Sequence, residues 1–265
     1  MQIVSYGAGT NSTAILVGLW EHEERPDAII FADTGGEKPH TYTHILVVNE
    51  WCKKIGFPQI VTVKGSQPQQ LADGSLQNEC IRLGVLPSKA YGFGSCSMKW
   101  KIDPQRKFDK EFALINGIEL SDITRLIGFD ADEPSRMERA IENAHRTPSK
   151  QRFPLIEWGW GREECVEAIA RAGLPQPGKS ACFFCPSSKK QEIFALGKEY
   201  PDLLAIAIEM ERKALAGEGN APALRANGLG RSFSWATLIA NEKAQGKLFS
   251  DAGAPEVDCG CYDGD

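Results

Sequence analysis

The chain has 265 residues, 42% of them hydrophobic and 25% charged. These are the proportions of a globular protein large enough to bury a sizeable core, and they exclude a disordered or fibrous chain. A net charge of −5 argues against broad nonspecific nucleic-acid binding while leaving room for a local basic patch. Met1-Gln2 lead directly into an apolar strand and no apolar run approaches the ~18 residues of a membrane span, so the expectation is a cytoplasmic protein with no membrane partner.

Ile3-Val4-Ser5 opens the chain as a short strand. It breaks at Tyr6-Gly7-Ala8-Gly9-Thr10-Asn11-Ser12-Thr13 and resumes as an apolar helix from Ala14. Glycines allow a tight turn and close approach of a ligand, and Asn11, Ser12 and Thr13 are residue types that start helices. The loop therefore reads either as an ordinary βα turn or as a phosphate cradle built on the unpaired N–H groups of a helix N-terminus. It is neither a Walker loop nor Gly-x-Gly-x-x-Gly. Asp27 to Ala32 is a continuous apolar run, as expected of a central parallel strand, which puts Asp33 and Thr34 at its carboxyl end, facing the same crevice as the Gly7 loop. After Pro39 and Thr41 comes a helical pattern through Ile45, Leu46, Val48, Trp51 and Ile55, stopped by Gly56, and then a strand over Gln59–Val63. From Lys64 to Ser97 periodicity fails, and the stretch reads as a long irregular excursion over the mouth of a site. A helix to Leu114 and a strand over Thr124–Phe129 come next. Asp130, Asp132, Glu133 and Arg136 at that strand's end read as a ligand site or as a solvated turn. Phe153–Trp158 and a helix over Arg162–Ala172 continue the pattern. Glu192–Leu215 and Ser234–Gln245 are helical by spacing, with Ala216–Arg231 between them reading as a mobile loop. The resulting architecture is α/β: a parallel twisted sheet with helices on both faces over residues 1–175, and a helical region with a flexible tail over 176–265.

Eight cysteines in a cytoplasmic chain point to metal, cluster or redox chemistry rather than to disulfides. Cys52 and Cys165 lie in helical patterns and read as small apolar core residues. Cys182-Phe183-Phe184-Cys185-Pro186 is a Cys-x-x-Cys knuckle able to aim two sulfurs at one centre. Four-thiolate coordination needs two more ligands, for which Cys96 and then Cys80 are the candidates. Spacing leaves zinc, an iron–sulfur cluster and unliganded thiols all open. The tail carries Asp258-Cys259-Gly260-Cys261, where a thiolate on a mobile segment is a candidate nucleophile, a ligand or neither.

Several of these blocks resemble one superfamily. The Tyr6–Thr13 loop is similar to the pyrophosphate loop (Ser-Gly-Gly-x-Asp-Ser-Thr) of the adenine nucleotide α-hydrolase superfamily, with Gly7 and Asn11 in place of that pattern's serine and aspartate. Asp33-Thr34-Gly35 through Pro39, Thr41 and Tyr42 resembles a segment of the phosphoadenylyl-sulfate (PAPS) reductase family. Gly128 to Arg136 resembles its Gly-Ile-Arg-Ala-Asp-Glu-Ser-x-Arg block, with Asp130 at the first arginine, and Phe153–Trp158 its Pro-Leu-x-x-Trp block. Ser95-Cys96 with Lys101 and Pro104, followed by Cys182 and Cys185, is similar to the cluster motif of adenylyl-sulfate reductases, with Ser95 replacing one cysteine.

The resemblance implies a PAPS reductase-like enzyme that binds an adenine nucleotide (ATP, APS or PAPS, with Mg2+ where ATP is cleaved). Gly7, Ala8, Gly9, Asn11, Ser12, Thr13, Asp33, Thr34 and Gly35 would form its nucleotide site, with Lys101 and Arg136 as phosphate or sulfate contacts. It further implies a [4Fe–4S] cluster on Cys80, Cys96, Cys182 and Cys185, with zinc as the alternative, and Cys259 as the nucleophile. A thiol reductant or a sulfur-donor protein would be the partner. The first alternative is ATP-dependent sulfur insertion into a nucleic acid or a small molecule, although the scattered cations do not support a nucleic-acid surface. The second is a non-catalytic nucleotide-binding protein with structural zinc.

Overall fold

The computed structural model describes residues 1–65, 74–143, 148–217 and 226–244. Five parallel strands, β1 (Gln2–Ser5), β2 (Ala28–Asp33), β3 (Ile60–Lys64), β4 (Thr124–Leu126) and β5 (Lys150–Arg152), lie in the order β3-β2-β1-β4-β5. Every residue of β2 is buried, as its unbroken Ala-Ile-Ile-Phe-Ala run requires of a strand covered on both faces. Alternation then sorts the side chains. Val4, Ile29 and Phe31 face a core shared with helices α1 (Thr10–Glu21), α2 (Pro39–Lys54) and α8 (Arg162–Arg171), whereas Ile3, Ala28 and Ile30 face Ala113 of α5 (Asp103–Asn116) on the other side. Cys52 and Cys165 are fully buried in the first of these cores, and burial pushes the Cys52 thiol up to about 12.

The excursion between β3 and α5 is more regular than its composition predicts. Helix α3 (Leu76–Leu83) starts on the Ser75 hydroxyl, which accepts from Asn78 N at 3.1 Å, and stops at Gly84 in the left-handed region. A 3-10 turn (Ser88–Tyr91), the single turn α4 (Ser95–Ser97) and a π-helical turn (Met98–Ile102) lead into α5. Beyond β4, α6 (Pro134–Asn143) and the short α7 (Pro154–Glu157) complete the α/β layer. The expected strand over Thr124–Phe129 pairs only as far as Leu126. The single helix expected from Glu192 is two, α9 (Lys190–Glu199) and α10 (Pro201–Ala216), because Pro201 has no N–H to continue the ladder and starts the second instead. α11 (Trp235–Ala244) closes the described chain. Residues 226–231 of the expected mobile loop are held: Leu229 is fully buried and its N–H donates to Glu211 at 2.7 Å.

A second core joins the excursion to these last helices. Leu76, Cys80, Leu86, Ala90 and Trp100 pack with Phe183, Phe184, Ile193, Leu204, Met210, Trp235 and Ile239. It draws on residues from both sides of position 175, and Cys96 and Cys182 pack at its edge.

Candidate functional site

The chain leaves β1 and pairs next on one side with β2 and later on the other with β4, so the topological switch point lies between β1 and β4. In open α/β sheets ligands bind outside the carboxyl ends of the strands at this point. Two loops meet there. Tyr6–Gly9 turns from β1 into α1 with Ala8 at φ 57°, a conformation that costs a non-glycine residue on the order of 1 kcal/mol. Ser12 closes the turn, its Oγ accepting from Gly9 N (3.2 Å) and donating to Gly9 O (3.1 Å). Asn11 is buried and crosses to the loop after β4, donating from Nδ2 to Gly128 O (3.3 Å) and to Asp130 Oδ2 (3.0 Å). Its Oδ1 accepts from Arg162 Nη1 at 3.4 Å. Behind the loop, Thr13 Oγ1 lies between Tyr6 Oη (3.3 Å) and His44 Nε2 (3.1 Å), and burial holds the His44 imidazole down at about 4.

At the end of β2 the Asp33 carboxylate is tied into its own loop. It accepts from Gly35 N and Tyr42 Oη, both at 2.8 Å, and faces Lys64 Nζ at 3.6 Å. Burial, with the Asp33 charge second, pushes the Tyr42 phenol up. Gly35 has φ 70° and packs on Ser75 so closely that a Cβ would sit 2.3 Å from the serine's Cβ, so the turn requires glycine.

Thr34 leads to the thiols. Its Oγ1 is 3.1 Å from Cys182 Sγ, and it borders a recess partly open to solvent, with Leu76, Lys89, Cys96, Lys101, Cys182 and Cys185 in its walls. The knuckle is fixed by Cys185 N donating to Cys182 O (3.0 Å) and Phe183 N to Gly36 O (2.8 Å), with Glu37 bridging Cys182 across two backbones. Cys96 is held by its N–H on Ser88 Oγ at 2.7 Å. Burial pushes the Cys182 and Cys185 thiols up. Glu37 adds to the first effect, while Lys101 opposes both and Lys89 opposes the second. Lys101 Nζ is in turn 3.6 Å from buried Glu37. Cys80 does not line the recess. It is buried on α3 within the second core, its thiol raised first by desolvation and then by Glu79 and Cys96.

The loop and the recess adjoin. A Cβ on Gly9 would stand 3.0 Å from Ser180 Oγ, so the segment that ends in Cys182 begins against the phosphate-cradle candidate.

No protein-family model matches the chain, and no curated protein matches it in sequence. Among solved structures it is similar to the U34-tRNA thiolase NcsA from Methanococcus maripaludis, determined with its [4Fe–4S] cluster. The TM-score is 0.43 with 16% identity, over 81% of this chain and 72% of that one.

The sequence-predicted residues thus fall into two adjoining groups. Gly7 to Thr13 lie at the switch point; Thr34, Lys101, Cys96, Cys182 and Cys185 surround the recess. Arg136 stands apart from both in its bonding, gripping both Glu133 oxygens (2.8 and 2.9 Å) and stacking on Phe129 at 4.6 Å. Cys259 lies outside the described residues. Sequence reasoning missed Arg162, Ser180 and His44, each brought in from a distant element, and Glu37 in the loop after β2. Only Glu37, inside a quoted motif, carried a local signal.

Cys96, Cys182 and Cys185 are soft donors in the walls of one recess, with Lys89 and Lys101 beside them, a donor type that zinc and iron–sulfur clusters share. Among the described residues no group of three His, Cys, Asp or Glu is placed to hold a metal ion. Among the described residues, too, no helix is long and apolar enough to cross a membrane.

Proposed function

We propose that the chain is a pyrophosphate-loop enzyme that uses ATP to activate an acceptor oxygen and then replaces that oxygen with sulfur. One observation carries the reading: the segment Gly178–Cys185 rests on the Gly9 turn at one end and supplies two thiols to the recess at the other. Nucleotide phosphates at Gly7–Thr13 would lie beside the thiol-lined cavity. In such a reaction the acceptor oxygen attacks the α-phosphorus, the bond to pyrophosphate breaks, and sulfur then attacks the activated carbon as AMP leaves with the oxygen. The loop's N–H groups hold the departing pyrophosphate. Cys96, Cys182 and Cys185 would hold a cluster, with Cys80 as the candidate fourth ligand. Held by the three recess thiolates alone, the cluster would offer one iron without a protein ligand to an exogenous sulfide, a place that ligation by Cys80 would close. Lys101 and Lys89 offset the buried negative charge of the thiolates.

Reduction of a sulfonucleotide is the weaker reading. Its nucleophile would be Cys259, and Asp130, a buried carboxylate bonded to Asn11, stands where the reductase pattern has an arginine for phosphate or sulfate. The acceptor, whether nucleic acid or small molecule, is what the product would reveal.

The test is anaerobic purification with iron, sulfide and zinc quantitation on wild type and Cys182→Ser, followed by incubation with ATP, sulfide and an acceptor pool of total RNA and nucleosides. The expected result is iron and sulfide lost in the variant, and pyrophosphate release by wild type. Zinc without sulfide would refute the cluster. Sulfite from APS or PAPS without pyrophosphate release would replace insertion by reduction.

A further inference from the structure

Glu37 takes no part in the proposed reaction, yet it is buried beside the thiols, its side chain only 1% exposed. Its Oε2 is buried and accepts no hydrogen bond from the described residues. Its Oε1 faces Lys101 Nζ at 3.6 Å, an ion pair too long to be a hydrogen bond. A carboxylate taken out of water with so few partners is costly to keep, and it is satisfied by a donor or a cation brought to it.

The backbone aims this acid at the knuckle. Glu37 stands opposite Cys182 in an antiparallel bridge, and the hydrogen bond beside the pair runs from Phe183 N to Gly36 O at 2.8 Å. In a non-hydrogen-bonded pair of this kind the two Cα atoms are only about 4.5 Å apart and both side chains leave from the same face. Gly36 permits the approach, since a Cβ there would lie 2.5 Å from Phe184 Cε1. After burial, the Glu37 charge is the largest influence pushing the Cys182 thiol up. Glu37 is not in the wall of the recess, but the residue opposite it, Cys182, and the cation it pairs with, Lys101, both are. Cys80 is outside that wall as well, and it packs in the second core.

We infer that Glu37 is a displaceable oxygen ligand for the fourth iron, in the place for which Cys80 is the sequence candidate; the inference rests on the cluster reading above. A carboxylate oxygen is a hard donor and a thiolate a soft one, so beside Cys96, Cys182 and Cys185 the ligand that gives way is Glu37. When hydrosulfide takes its place, the iron–oxygen bond breaks as the iron–sulfur bond forms, one anion replaces another and no electron moves. The released carboxylate returns to Lys101, the pairing seen in the structure. Glu37 therefore shields the fourth iron from water and yields it to sulfide.

The experiment takes the full chain, reconstituted anaerobically with iron and sulfide and freed of excess, and titrates it with sodium sulfide while electron paramagnetic resonance follows the reduced cluster. Wild type, Glu37→Gln, Glu37→Ala and Cys80→Ser are compared. Both Glu37 variants should hold as much iron and sulfide as wild type and bind added sulfide about tenfold more tightly, and Cys80→Ser should stay within about twofold of wild type. Equal sulfide affinity in wild type and the Glu37 variants would overturn the assignment while leaving the cluster standing. A gain in Cys80→Ser in their place would overturn it in favour of the cysteine. Iron and sulfide lost together from both Glu37 variants would overturn it too, since the carboxylate would then be part of the framework of the knuckle. A wild type that takes up no iron and sulfide overturns the cluster reading itself.

Discussion

Gly9 is where the turn after β1 meets the segment leading to Cys182: a Cβ there would stand 3.0 Å from Ser180 Oγ. Gly9→Val should therefore displace either the turn after β1 or the segment leading to Cys182, at a cost of about 1–3 kcal/mol, and on the proposed nucleotide reading it should abolish a rise in melting temperature with ATP seen in wild type. Full retention of that rise would remove the loop from the ligand site. His44 makes a second prediction at this scale. Its folded value of about 4 lies below the ordinary 6.5, so the unfolded chain binds the proton more readily between these values. Stability is then complete above pH 6.5 and declines as pH falls towards 4, by at most about 3 kcal/mol. Urea unfolding at pH 7.5, 6 and 5 checks this, and His44→Gln should flatten the profile. An unchanged slope would assign the acid sensitivity to other groups. The loop glycines and the Cys-x-x-Cys were legible because their chemistry is local. Arg162 and His44 were not, since a helix-opening arginine and a mid-helix histidine look alike whether they face solvent or a loop far away in sequence.

At the scale of elements, the described segment after residue 225 is held by one carboxylate. Glu211 on α10 is buried and accepts from Leu229 N (2.7 Å) and Trp235 N (2.9 Å) at Oε1, and from Ser234 Oγ (2.7 Å) and Ala236 N (2.9 Å) at Oε2. It caps the N-terminus of α11, where the helix dipole favours a negative charge. Glu211→Ala leaves these buried donors unpaired and should cost about 3 kcal/mol or more. Glu211→Gln should cost less, because one oxygen remains as acceptor. Denaturant midpoints of the two variants test the order, and equal, small losses would show that water replaces the carboxylate. The Gly/Ala/Asn-rich composition that suggested mobility up to Arg231 conceals this anchor, which depends on a partner some twenty residues away. Helix α3 was hidden for a different reason. Its Ser75 cap and Gly84 stop are ordinary signals, but the helix is only two turns long inside a stretch dense in glycine and proline, so periodicity had too few residues to register.

For the whole molecule, the sheet was the most legible part, because parallel strands covered on both faces are written as unbroken apolar runs. The second core was the least legible. Leu76, Cys80 and Trp100 find Phe184, Met210 and Trp235 across more than eighty residues, and no window of sequence carries such packing. Its consequence is dynamic. Segments that bury their apolar faces against one another open together, so α3 belongs cooperatively with α9 and α10 although the chain places it next to β3. Native-state hydrogen exchange on the apoprotein should show the amides of α3, α9 and α10 losing protection with one free energy, while those of β1 and β2 follow another. The recess lies along this boundary: Thr34 comes from the end of β2, and Cys96 and Cys182 pack at the edge of the second core. A ligand held by its thiols would stabilise the second core that carries them and raise its opening energy towards that of the sheet. Exchange of α3 in step with β2 and β3, with or without iron and sulfide, would show instead that the chain divides near residue 175, with Cys96 in one unit and Cys182 and Cys185 in the other.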